Sequence, residues 1–423
     1  MLLLKKVQAS SLVSTIILSL VVLTMCSMLL LTVYYHKYFQ TKDIIGQRLN
    51  DDLQSGIHFI LNDTVLMPRA FADSFSLFEG MQDSLAYTQQ LWGCFPLASL
   101  QVKYKNHSKT KAFFYGASQH LYNNTSLYVA DHDRPLSLSG DTYIEGNAYL
   151  PKSGLRSGFF GQQGFSRKKL IEGEILSSTK TLPPISPSFK EYFLQLGHYI
   201  NDTTINFEEL KEDSVVNSFD LPVRLIQLPK NGLLLNNILK GKFIVVSDSV
   251  INIEASTKLS DVILIAPYIH FNTGFAGSIQ AFALDSITVE PDCNLRYPSS
   301  LVGLGRNEML GNTGSTITLH NHCTVEGIVL ALTGEGNSNI KPTIKIKQGA
   351  TVNGLVYNDG YSYLNGKVAG AIFTHFFFEQ RGPLSMENIL IDATIVQSRW
   401  LKEANYFSIF TEGTRQKVMK WLY

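Results

Sequence analysis

Residues 12–35 run without a charged side chain. As a helix rising about 1.5 Å per residue, the run spans about 36 Å, enough to cross a bilayer. A secretory leader has a shorter apolar core and ends at a small-residue cleavage site, so this run reads as a retained anchor. Tyr34, Tyr35 and Tyr38 close it like an interfacial aromatic belt. Beyond it, Ile45, Leu49, Leu53, Ile57 and Leu61 recur at every fourth position, with Lys42, Arg48, Asp51 and Asp52 on other faces. That is a helical period. Gly56 weakens it slightly without ending it. One helix is therefore expected from about Leu12 to about Leu61.

The period then changes to two. LASLQVKYKN and KAFFYGAS alternate around residues 107–109, which predicts a hairpin. SLYVAD and LSLSG predict a second strand pair, completing a small antiparallel sheet beside the stalk. Residues 151–190 read as loops. GLRSGFFGQQG fits neither a P-loop nor a dinucleotide fingerprint, and TLPPISPSF is a polyproline-type connector. PSFKEYFLQLGHYI predicts a short helix among acidic loops.

From Gly241 to about Phe378 the chain repeats itself. INIEASTKL from Ile251, ITVEPDCNL from Ile287, ITLHNHCTV from Ile317 and IKIKQGATV from Ile344 share aliphatic residues at the first, third and ninth places. A second signature follows the ninth place: LSDVI from Leu259, VEGIV from Val325, VNGLV from Val352 and VAGAI from Val368, with FAGSI from Phe275 as a degenerate copy. The unit of about 16–18 residues is too short for helical repeats and fits one coil of a stacked β-solenoid. The Gly or Asp of the second signature should turn a corner, often with positive φ. GDTYIEGNAYLP, from Gly140, has the same character and is read as an earlier rung. The expected fold is mainly β: a single-stranded parallel β-helix behind a long N-terminal transmembrane and stalk α-helix. The expected divisions are anchor and stalk (1–61), a small α+β region (62–150), a loop-rich insertion (151–240), the β-helix (241–383) and a C-terminal cap (384–423). The cap is expected to end in a short helix near residues 416–423.

Two resemblances follow from these residues. Lys5 and Lys6, the stretch Ala9, Ser10, Ser11, Leu12, Val13 and Ser14, the anchor and the continuous stalk together resemble a type IV pilin or pseudopilin. The family's processing frame reads small residue, Phe, Thr or Ser, Leu, Ile or Val, Glu. Ser10 stands at the Phe and Ser14 at the Glu, the carboxylate that helps a subunit dock beside its neighbour. A missing Glu resembles minor or tip subunits. Flanking charge alone leaves orientation close to a tie. The resemblance implies a bacterial cytoplasmic membrane, with the amino terminus cytoplasmic and the bulk periplasmic or on the cell surface. Its implied partners are membrane lipid and other pilin-like or envelope proteins. The small region at 62–150 would then be pilin-like. The repeat is similar to bactofilins and to β-helical domains fused to pilin-like subunits.

Composition sharpens the chemistry. Net charge is +1 in 423 residues, which gives no reason to expect nucleic acid. The four cysteines form no C-x-x-C. Cys293 and Cys323 both take the seventh place of the frame. On adjacent rungs they would lie about 4.8 Å apart, within reach of a disulfide; the alternative is an inward ladder of two small apolar thiols. His320, His322 and Cys323 form H-x-H-C, where two histidines on one strand face could bridge a metal, but a third ligand is missing. No metal site, cofactor or catalytic residue is assigned. There is no G-x-S-x-G or H-E-x-x-H, and Asp248, Asp261, Asp285, Asp292 and Asp359 fall at different frame positions. A structural or adhesive protein is thus favoured over its rival, an anchored β-helix enzyme or carbohydrate-binding module acting on envelope polysaccharide. Sequons at Asn62, Asn106, Asn123, Asn124 and Asn201 matter only in a glycosylating host.

Overall fold

The computed structural model describes residues 10–62, 69–76, 83–117, 124–160, 163–200, 205–210, 213–229, 232–234, 236–306, 314–334, 341–382, 384–397, 409–410 and 416–422. One helix, Ser10–Asn62, carries both the anchor and the stalk. Residues 11–44 are exposed along it. From Leu49 onward, Leu49, Leu53, Ile57 and Ile60 are buried, with Ile45 and Leu61 partly so. They pack on Leu85, Tyr87, Leu100, Val102, Phe113 and Tyr115. Gly56 has a packing role: a Cβ there would lie 2.5 Å from Leu85 Cδ1, so glycine lets helix and sheet close up.

The partner of the stalk is an antiparallel sheet. Its order is Arg69–Phe75, Asp83–Trp92, Phe95–Tyr104, His107–Ala117 and Gln416–Leu422. The predicted hairpin is present, but its turn is at residues 105–106; His107 already pairs with Tyr104. Lys105 accepts the positive φ that the tight turn needs. The last strand corrects the expected C-terminal helix. Residues 416–422 pair antiparallel with Ala112–Ala117 and extend the sheet edge instead. Phe113 faces the stalk while Phe114 and Phe95 face the rest of the molecule, so this sheet is buried on both sides.

The remainder is a closed, mainly parallel sheet that is solenoid-like in outline. Its strands fall on three faces. The first runs through Ile238–Gly241, the start of Lys258–Phe271, and on to Thr324–Ala331, Thr351–Leu364 and Lys367–Arg381. The second takes Phe243–Val246 and the middles of those long strands. The third takes Val250–Ile253, Thr316–Leu319 and Thr343–Ile346. The interior is filled by the repeat's aliphatics, among them Ile251, Ile287, Ile317, Ile344, Val325 and Val352. The second signature turns where expected: Asp261, Gly327, Gly354 and Gly370 have φ of 62°, 148°, 154° and 157°.

The sheet does not stop at the ends of the repeat. Residues 151–240, read from the sequence as a loop-rich insertion, contribute Ile175–Ser177, Ser214–Asn217 and Arg224–Gln227 to it. The strands predicted in SLYVAD and LSLSG do form, as Thr125–Val129 and Leu136–Ser139, but not as a pair. The first stacks parallel on Lys367–Arg381 and the second on Ile389–Ile391. Tyr143–Glu145, within the anticipated early rung, stacks on Thr394–Val396. Segments early in the sequence thus continue the sheet beyond its late strands. Helix Pro187–His198 lies outside, its Phe189, Phe193 and Leu196 packed on the second face. That face is largely apolar inside and out, which is why IVLA (328–331), LVY (355–357) and AIF (371–373) read as short unbroken apolar runs.

Candidate functional site

Of the processing-frame residues, Ala9 lies outside the described residues, Ser10 opens the long helix and Ser14 follows on its exposed first turns. The frame therefore leads directly into one continuous helix whose first part is exposed.

Cys293 and Cys323 are brought together on adjacent rungs, where Thr324 N–H donates to Cys293 O. Both are buried and free; no disulfide joins them. They belong to an inward corner column with Thr257 and Ala350, the other seventh-place residues. Parallel stacking points these side chains the same way, and each reaches carbonyls of the previous coil. Cys293 Sγ is 3.2 Å from Asn272 O, and Cys323 Sγ is 2.9 Å from Glu290 O. Thr257 Oγ1 does the same to Leu234 O at 2.7 Å. Hydrogen bonding with Cys293, then burial, pushes the Cys323 thiol up. His320 and His322 do not share a strand face. The strand ends at Leu319, His322 sits in the turn at φ 60°, and His320 Nδ1 is 3.2 Å from Lys347 Nζ. Among the described residues no cluster of three metal-ligating side chains occurs.

The junction between head sheet and solenoid-like sheet was not legible as a site. Asp261 occupies the corner place that is glycine at Gly327, Gly354 and Gly370, and its side chain is fully buried. Lys420 Nζ donates to both its oxygens, at 2.7 and 2.9 Å, and Ser278 Oγ donates at 3.1 Å. Trp92 Nε1 donates to Asp261 O at 3.0 Å. Beside it, Gln280 Oε1 accepts from Cys94 N at 2.7 Å and Gln280 Nε2 donates to Trp92 O at 2.8 Å. The Trp92–Cys94 turn and the last strand are thereby pinned to the second face.

A second cluster borders a cavity of about 470 Å³ between helix Pro187–His198 and the second face. Its walls are Leu182, Phe193, Leu284, Leu304, Leu332 and Tyr357. At one end His375 Nε2 is 3.1 Å from Asp359 Oδ1, and His132 Nε2 is 3.0 Å from His375 Nδ1. With both rings neutral, His132 donates to His375 and His375 donates to Asp359. Burial alone would raise the Asp359 carboxyl; hydrogen bonds from His375 and Thr333 outweigh it and hold it below the usual carboxylate range. Burial, then the charge of His375, lowers His132. The sequence pattern placed Asp359 in no column, because its partners come from the next rung and from residue 132, far earlier in the chain.

No family model, curated protein or solved structure matches the chain.

Proposed function

We propose that the protein is a membrane-anchored structural or adhesive subunit, pilin-like in its stalk, which carries a single-stranded parallel β-helix on the outer side of a bacterial cytoplasmic membrane. The observation that carries this reading is the division of one helix. Its first part is exposed and contains an uncharged, mainly apolar run long enough to span a membrane. Its second part is buried against an antiparallel sheet that is itself fixed to the parallel stack through Asp261, Gln280 and Lys420. A bare apolar rod continuous with a packed stalk suits burial in lipid or among other stalks. A pinned junction suits transmission of position from that stalk to a rigid outer surface. Ser14, uncharged where the pilin family has a carboxylate, suits a subunit with none ahead of it.

Amino-terminal sequencing of the protein purified from membranes tests the pilin-like part. A mature chain beginning at Ser10 is expected. A chain that keeps Met1 would reduce the segment to a simple anchor and overturn that part of the reading.

A further inference from the structure

We infer that the cavity under helix Pro187–His198 is a binding site for a small organic cation with an apolar, ring-sized body. The inference concerns a ligand site and stands apart from the anchoring role. Size comes first: about 470 Å³ is within the range of small-molecule pockets and far above the packing voids of a folded interior. Shape and lining come next. Phe193 and Leu182 approach from the helix and its connector, while Leu284, Leu304, Leu332 and Tyr357 project outward from successive rungs of the second face. This face is elsewhere sealed by apolar side chains. Tyr357 is fixed in place, since its hydroxyl donates to Pro183 O at 3.2 Å. Such walls exclude water from one side of a ligand and stack against a flat ring.

The polar end supplies the head-group preference. Among the described residues, Asp359 is the carboxylate lining the cavity, and its side chain remains 35 % exposed. A carboxylate offers about four acceptor sites. His375, which also lines the cavity, meets Oδ1, and the His132 ring behind it is itself stacked on Phe376 at 4.2 Å between centroids. When both rings are neutral the donors run toward the carboxylate, and Asp359 faces the cavity as an acceptor. The positively charged or titratable side chains on the helix wall, Lys190 and His198, are exposed and solvated. A cation meeting Asp359 in this partly dry site makes a charge-assisted hydrogen bond, and an anion meets a like charge.

The test uses the full chain in lipid nanodiscs, with empty nanodiscs as the blank. Binding of 2-phenylethylammonium, 2-phenylethanol and 3-phenylpropionate is measured by calorimetry. The ammonium compound should bind most tightly. Asp359→Asn should weaken it by about tenfold or more, as expected for one lost charge-assisted hydrogen bond, while leaving the alcohol nearly unchanged. Leu304→Trp, which fills the wall, should abolish binding of all three. Each variant is first matched to the native protein in its unfolding curve. If either is unstable, displacement of bound ammonium compound from the native protein by the neutral alcohol substitutes for it, and competition at one shared site is expected. Absence of binding, preference for the carboxylate, or affinity indifferent to both substitutions would overturn the assignment.

Discussion

At the scale of single residues, the least expected position is Asp261. The corner it occupies takes glycine on other coils because φ is positive and the neighbouring backbone is close; a Cβ on Gly354 would lie 1.8 Å from Gly327 O. Asp261 sits at φ 62°, the left-handed region that aspartate tolerates better than most residues, where the glycine corners lie at 148° to 157°; its side chain is answered by Lys420, Ser278 and no water-facing surface. A buried carboxylate that loses its cation keeps its desolvation cost. Lys420→Met should therefore destabilise the protein by about 3–5 kcal/mol, read from chemical unfolding. The double variant with Asp261→Gly should recover most of that loss, because the corner reverts to the residue its neighbours carry. Equal instability of single and double variants would contradict the role given to the pair.

At the scale of elements, the sequence was informative where one side of a strand or helix is buried locally. The four-residue period marked Leu49, Leu53 and Ile57, which do face the sheet. The two signatures of the repeat marked inward rows and corners, because each coil presents the same environment at the same place. What remained hidden depended on partners distant in sequence. SLYVAD and LSLSG alternate like any strand pair, and nothing local says that they stack on residues 372–374 and 389–391 instead. Residues 416–422 alternate too weakly, with intermediate burial at most positions, to declare themselves an edge strand. Asp359 fell in no common column with the other acids, and the cavity it borders is assembled from separate rungs and a packed helix. Of the two readings of Cys293 and Cys323, the structure has the thiols buried and free, stacked one above the other. The corner column gives a prediction for the repeat as an element. Gly354→Ala meets both an unfavourable φ and the backbone of Gly327, so it should cost more than the roughly 1–3 kcal/mol of backbone strain alone. Gly154→Ala, also at positive φ but with nothing within 4 Å of its Cβ, should cost less in the same unfolding assay. The reverse order would contradict the close stacking of corners.

At the scale of the whole molecule, three layers lie in series: the stalk helix, the antiparallel sheet and the parallel stack. The first is half bare. The second is buried on both sides, with Phe113 turned to the stalk and Phe114 to the stack. The third is closed on itself and extended by strands from early in the chain. Under the proposed function, this order holds the parallel stack at a fixed attitude to the membrane. The central claim is that the helix sits in the membrane and the stack lies outside the cytoplasm. It is tested most directly by labelling Ala255→Cys, on an exposed turn of the third face, with a membrane-impermeant maleimide in intact spheroplasts. The background should be low, since Cys94, Cys293 and Cys323 are buried and Cys26 lies in the proposed membrane span. The account predicts labelling without lysis, in a protein that sediments with the membranes. Labelling only after lysis, or recovery of the protein in the soluble fraction, would contradict it.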